Sequence, residues 1–211
     1  MKTADLIKTL AADTTPPRRP YWQKALVLVV AAGFTLGFLL LGLGVRQDIL
    51  AELGSWRFLA KFVVTGTLIL LAWRAIGNNV NPANKSASVV AVFGGAAALL
   101  LAFAVAEMAL LPPAEWTANA VGGNGLHCLK TIPVLAAAPL AALLWVLRDG
   151  APQSPALAGG AAGALAAAFG AFLYAAHCPD DSPLFLAVWY VIAIAVTSAI
   201  GAFAGRRVLA W

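Results

Sequence analysis

Long apolar runs separated by isolated charges set the pattern of this chain, and six of them have the length of a membrane-spanning helix. Residues 25–45 carry no charge between Lys24 and Arg46, and their length suits a hydrocarbon core of about 30 Å. Residues 58–76 have Lys61 one turn inside their start. Residues 88–111 are uncharged until Glu107 and stop at Pro112-Pro113. Residues 131–147 are shorter and contain Pro133 and Pro139, which predict a kink. Residues 156–176 are almost wholly Ala, Gly and Leu, and residues 183–205 end at Arg206-Arg207. The runs are continuous and lack the alternation that a transmembrane barrel requires. They predict an all-α polytopic membrane protein, a bundle of six transmembrane helices. Gly159 and Gly163, and again Gly201 and Gly205, form small-xxx-small pairs that let lipid-immersed helices approach closely.

Residues 1–23 are the sizeable polar segment, and residues 24–211 form the predicted membrane domain. Thr3 is placed to cap a short helix with Leu6, Ile7, Leu10 and Ala11 on one stripe and Asp5 near its positive end. Asp13 to Pro17 end it, and Arg18 to Trp22 bring the chain to a membrane surface. Such a stripe fits either an interfacial anchor or a peptide that folds into a partner's groove. The first apolar run is too long for a cleavable signal peptide, so none is expected.

Composition supports the same class: 62% of residues are hydrophobic and 11% charged, where soluble domains carry about 25% charge. The formal charge of +5 is spread singly between apolar runs, which excludes the basic surface that direct nucleic-acid binding needs. The same charges orient the bundle. With both termini in the cytoplasm, ten basic residues fall inside (Lys2, Lys8, Arg18, Arg19, Lys24, Arg74, Lys85, Arg148, Arg206, Arg207) and four outside (Arg46, Arg57, Lys61, Lys130).

The candidate chemistry is concentrated in two dipeptides, His127-Cys128 and His177-Cys178, which hold every histidine and cysteine of the chain. Chance places both cysteines after histidines about once in ten thousand sequences, given ordinary histidine usage. Both pairs are expected in outer loops, one just before the fourth span and one just after the fifth. A tight inner connection, Arg148 to Pro152, makes those spans an antiparallel hairpin. Arms of roughly 25–32 Å bring both cysteines out at similar heights. Three chemistries remain open for them. The thiols form a disulfide, reversible or permanent, if the outer side is a periplasm. Alternatively Cys128, Cys178, His127 and His177 ligate a soft or transition metal. The third option is Cys-His catalysis, for which no orienting third group is evident.

The remaining charges near span ends read as interfacial. Lys61 is expected to snorkel, Glu107 to face the surface, and Asp180-Asp181 to be a solvated loop. No line of ionisable residues crosses the bilayer centre, which disfavours a proton-coupled transporter.

Several stretches resemble a known family. They are Met1 to Ile7, Leu10 to Asp13 and Pro17-Arg18-Arg19, then His127-Cys128-Leu129-Lys130-Thr131-Ile132-Pro133 and Ala138-Pro139-Leu140. The most specific block is His177-Cys178-Pro179-Asp180-Asp181-Ser182-Pro183-Leu184-Phe185, followed by Trp189-Tyr190 and Gly205-Arg206-Arg207. Together they are similar to the NrsF-type membrane anti-sigma factors. The resemblance implies a bacterial inner-membrane protein, regulatory and not enzymatic. It implies that an extracytoplasmic-function sigma factor is held at the cytoplasmic face by the N-terminus, hence Asp5, Leu6, Ile7 and Leu10. It also implies that periplasmic Cys128 and Cys178 are needed for release under heavy-metal or oxidative stress. The alternative that the residues leave open is a membrane thiol-disulfide oxidoreductase or metal-handling protein using the same pair.

Overall fold

The computed structural model describes residues 3, 5, 7, 8, 19–80, 89–150, 152 and 154–210. All regular structure among them is helical. Helix α1 is Tyr21–Leu43, its last five residues wound as a π turn. The short α2, Ile49–Glu52, leads into α3, Trp56–Val80, and α4 is Val89–Leu110. Helix α5, Pro113–Val121, occupies what the sequence pattern presents as a loop, with Pro113 in its first turn where a missing N–H costs nothing. Helices α6, Gly125–Leu147, and α7, Pro155–Tyr174, form the hairpin, and α8, Pro183–Val208, contains a π turn at Leu186–Tyr190.

Among the described residues, five helices (α1, α3, α6, α7 and α8) are long and apolar enough to cross a membrane. In α4 the stretch Gly94–Leu110 is apolar but shorter. Helix α6 begins six residues before the expected 131, so His127-Cys128 sits in its first turns and not in a loop. Charges mark where a helix meets water, but they do not end it, and hydropathy alone therefore sets that start too late.

Helix α7 is the centre of the bundle, with two thirds of its apolar window buried against 17% for α1. It packs against α3, α6 and α8. Small side chains make this possible. A Cβ on Gly163 would lie 2.6 Å from the Thr197 carbonyl oxygen and 2.8 Å from the Ser198 Cα. Cβ atoms on Gly159 and Gly201 would collide with each other's backbones. The two predicted small-residue pairs therefore face one another, and van der Waals contact between backbones joins α7 to α8. On the α6 side, a Cβ on Gly170 would lie 3.1 Å from the Ile132 carbonyl oxygen.

Helix α6 runs on through Pro133 and Pro139. Pro139 has no N–H for the Leu135 carbonyl four residues earlier. The Thr35 hydroxyl from α1 lies 3.2 Å from that oxygen, and also 3.0 Å from Ala31 O. A proline in one helix thus creates the polar point on which another docks. At the far end of the hairpin from the His-Cys pairs, Asp149 in the α6–α7 turn meets the root of the N-terminal segment. Lys24 Nζ is 3.0 Å and Arg19 Nη1 3.4 Å from its carboxylate oxygens, and the Arg19 guanidinium lies 4.3 Å from the Trp145 ring centroid. Thr3, Asp5, Ile7 and Lys8 are helical and exposed, as a short N-terminal helix predicts. Leu6, Leu10 and Lys85 lie outside the described residues.

Candidate functional site

The hairpin brings the two His-Cys pairs to one end of the bundle. The His127 and His177 rings are 6.1 Å apart between centroids, and Tyr174 stacks obliquely near both, at 6.2 and 5.6 Å. Cys128 and Cys178 are both free thiols with no exposed surface, inside one buried cluster that includes Tyr174, Phe185, Leu186 and Tyr190. Each is placed by helix geometry. The Cys128 amide donates to Asn124 O at 2.9 Å in the first turn of α6, and the Cys178 amide to Tyr174 O at 2.9 Å in the last turn of α7. Tyr174, four residues before Cys178, packs in the same buried cluster. That i,i+4 spacing on a helix is the signal by which the sequence could have flagged it.

The His177 ring is engaged by the end of α1. His177 Nδ1 lies 3.0 Å from the Gly44 carbonyl oxygen, and since a carbonyl only accepts, that nitrogen carries the proton. Gly44 follows the π turn of α1 with φ 76°, a left-handed conformation that favours glycine and aims its carbonyl at the ring. Burial dominates at Cys178 and pushes its thiol up, against the nearby Lys61 charge and a hydrogen bond from the Asp180 amide. At neutral pH this is a protected thiol and not a ready nucleophile. Among the described residues no three His, Cys, Asp or Glu side chains are grouped to hold a metal ion.

Above the thiols sits an ion-pair cap that corrects the interfacial reading of four charges. Lys61 has no exposed surface. Its Nζ donates to Cys178 O at 2.8 Å and Asp180 O at 3.2 Å, and pairs with Asp181. Arg46 Nη1 donates to both oxygens of the same Asp181, at 2.9 and 2.8 Å, while its Nε and Nη2 hold Asp48 bidentately at 2.6 Å each. The Arg46 guanidinium holds Asp48 down to about 2, and that carboxylate in turn raises Arg46. The Asp48–Arg46 attraction is thus fully present above the ordinary aspartate value and fades only as pH falls toward about 2. Glu107 is also fully buried, taking Arg57 Nε at 3.0 Å, the Ser182 hydroxyl at 2.6 Å and the Leu184 amide at 3.1 Å. Asp180 is no solvated loop residue: it accepts from the amides of Gly123 and Asn124 and from the Asn124 side chain. Burial becomes tolerable because Lys61, Asp181 and Glu107 are each paired and hydrogen-bonded and Asp180 is hydrogen-bonded.

Comparison with known proteins identifies the family. The family model described as negative regulator of sigma F, NrsF, matches residues 10–211. The chain belongs to the NrsF family. It is 33% identical over 217 aligned residues to the anti-sigma-F factor NrsF of Caulobacter vibrioides, covering all of both chains. It is 32% identical over 214 residues to the probable anti-sigma-F factor NrsF of Azospira oryzae, again over the full length of both. No solved structure matches. The family is described by a regulatory role, negative regulation of sigma F.

Proposed function

We propose that this NrsF-family protein is an inner-membrane anti-sigma factor with six spans and both termini in the cytoplasm. Residues 1–23 sequester an extracytoplasmic-function sigma factor, and the periplasmic Cys128/Cys178 pair releases it on oxidation or on binding a heavy metal. One observation carries the reading. The α6–α7 hairpin has the two thiols at one end and, at the other, the Asp149 clamp on the root of residues 1–23. A change at the sulfurs that tilts or slides the hairpin is felt at Arg19 and Lys24 without any other moving part. The excess of basic residues at the Asp149 end supports the orientation.

A signal can shift such an equilibrium only through its differential affinity for the two states. Going from almost fully bound to almost fully free takes roughly 5 kcal/mol. A disulfide supplies about 2–4 kcal/mol and a thiolate–metal site more. The cap explains why the sensor stays silent at rest, because Cys178 is buried, protonated and tied to Lys61 through its own carbonyl. The test is sigma-F-dependent transcription in cells carrying the Cys128→Ser, Cys178→Ser protein. Repression should persist, and induction by cadmium or by a thiol oxidant should vanish; normal induction in that strain would end the thiol-trigger reading.

The clamp has its own expected outcome. Asp149→Asn should raise uninduced transcription about fivefold, the population change produced by losing roughly 1 kcal/mol of partly exposed ion pairing. Asp149→Glu should restore repression, with equal amounts of membrane-embedded protein in both strains. Equal reporter activity in all three strains would show that the hairpin does not control the N-terminal segment through this contact.

A further inference from the structure

Helices α1 and α7 end beside one another at the thiol end of the bundle, and each closes the other. The last carbonyls of a helix have no partner within it. Just past α1, the Gly44 carbonyl accepts from His177 Nδ1 at 3.0 Å. Just past α7, the Ala176 carbonyl accepts from the Arg46 amide at 3.2 Å. The two bonds run in opposite directions between the chain ends, directly before Cys178. The π turn of α1 and the left-handed Gly44 that follows it (φ 76°) bring the α1 carbonyl to the ring. Leu39, which opens that turn, is 2% exposed and lies in the buried cluster with Cys128 and Cys178.

Burial alone holds α1 weakly. Its apolar window is 17% buried, and it packs on α6. Its polar attachments fall at three heights, all on the α6–α7 hairpin. Ala176 and His177 hold the thiol end, Thr35 reaches Leu135 O in the middle, and Lys24 and Arg19 reach Asp149 at the far end. The 23 residues of α1 make a rod of about 35 Å, continuous with the N-terminal segment. Rigid elements with two arrangements are what carry coupling between distant sites. We propose that the reciprocal cap of Gly44 and Ala176 is a latch, and that α1 is the element it holds. A rearrangement at Cys178 shifts residues 176 and 177, breaks the cap, lets α1 tilt on α6, and draws Lys24 and Arg19 off Asp149. The inference rests on the thiol pair being the trigger, and it adds α1 as a second path from that pair to residues 1–23. A histidine that only satisfied a carbonyl would leave the far end of α1 indifferent to its loss.

The experiment uses the full chain. In sigma-F reporter cells His177→Phe keeps a flat ring, loses the donor and should raise uninduced transcription about fivefold, the effect of one hydrogen bond. His177→Asn puts an amide N–H where Nδ1 stands and should restore repression. Gly44→Ala strikes the same bond from the other side and should derepress likewise. A Cβ there meets nothing within 4 Å, so it acts through backbone strain at positive φ. This variant decides the matter should His177→Phe not reach the membrane. Combined, the two should derepress no more than either alone, because they break one contact. In nanodiscs, hydrogen exchange of the His177→Phe protein should quicken at residues 19–28, the opposite end of α1. Faster exchange confined to the neighbourhood of Gly44 and His177, or full repression at equal amounts of membrane protein, would overturn the latch. Failure of the trigger reads differently. In the Cys128→Ser, Cys178→Ser protein His177→Phe should still derepress, since the latch lies beyond the thiols. That result with normal induction in the double-serine strain keeps the latch and removes the trigger. Induction lost with the cysteines, beside a silent His177→Phe, does the reverse.

Discussion

Gly159→Val is expected to destabilise the folded bundle by more than about 3 kcal/mol, above the usual cost of an overpacked core. The reason is what the new atoms would meet. Even a Cβ at this position would overlap the Gly201 carbonyl and come within 2.8 Å of the Gly205 Cα. Backbone cannot rotate aside as a side chain does, so α7 and α8 must part. Helix α7 is the most buried of the spans, and its separation from α8 would also open the thiol cluster, which draws Tyr174 from α7 and Phe185 from α8. Gly160→Ala is the matched control, because its Cβ would sit 3.6 Å from the Ala202 Cβ, an ordinary contact. Heating both proteins in detergent and following the monodisperse fraction by size exclusion should show a large downward shift for the valine protein and little change for the alanine one. Equal melting of the two would mean that the backbone contact does not hold the bundle.

Lys61→Met should cost about 3–5 kcal/mol, the penalty for removing one partner from a buried charge pair. Methionine fits the volume, so packing is not the issue. Asp181 loses one of its two cations, and the Cys178 and Asp180 carbonyls lose their donor. Arg46 still holds Asp181 from the other side, so the Lys61→Met, Asp181→Asn double variant should recover part of the loss. The double-mutant cycle then reports the coupling. Because the freed carbonyl is that of Cys178, the same substitution should speed maleimide labelling of the thiols and raise uninduced transcription. A Lys61→Met protein as stable and as slowly labelled as wild type would show that the cap neither supports the fold nor guards the thiols.

Much of the helical plan is legible in the sequence because the limits of an apolar helix are local properties. The expected span at 183–205 and the observed Pro183–Val208 begin together, and 156–176 differs from Pro155–Tyr174 by a residue or two. The larger error is at the fourth span, where polar residues around His127 and Lys130 hide a helix that starts at Gly125. Local cues also located the thiols, since two His-Cys dipeptides and a short connection suffice to argue that they meet. The side chains that define the site were less visible. Lys61, Glu107, Asp180 and Asp181 each look like ordinary end-of-span charges when read alone. Their partners are fifty or more residues away in sequence, and a charge carries no mark of the residue that will neutralise it.

By itself, then, the sequence determined an all-helical membrane protein, the small-residue faces of α7 and α8, and two His-Cys pairs at one end of a hairpin. It also carried the family likeness that the comparisons bear out. Tertiary structure decided what surrounds those pairs. It sealed both thiols from solvent, turned His177 to Gly44, set Lys61 on the Cys178 carbonyl, and hung the N-terminal segment from Asp149. The physical reason is the range of each effect. Hydropathy and helix propensity act over a turn or two of chain, whereas the acidity and access of a thiol depend on whatever the fold packs within a few ångströms of it.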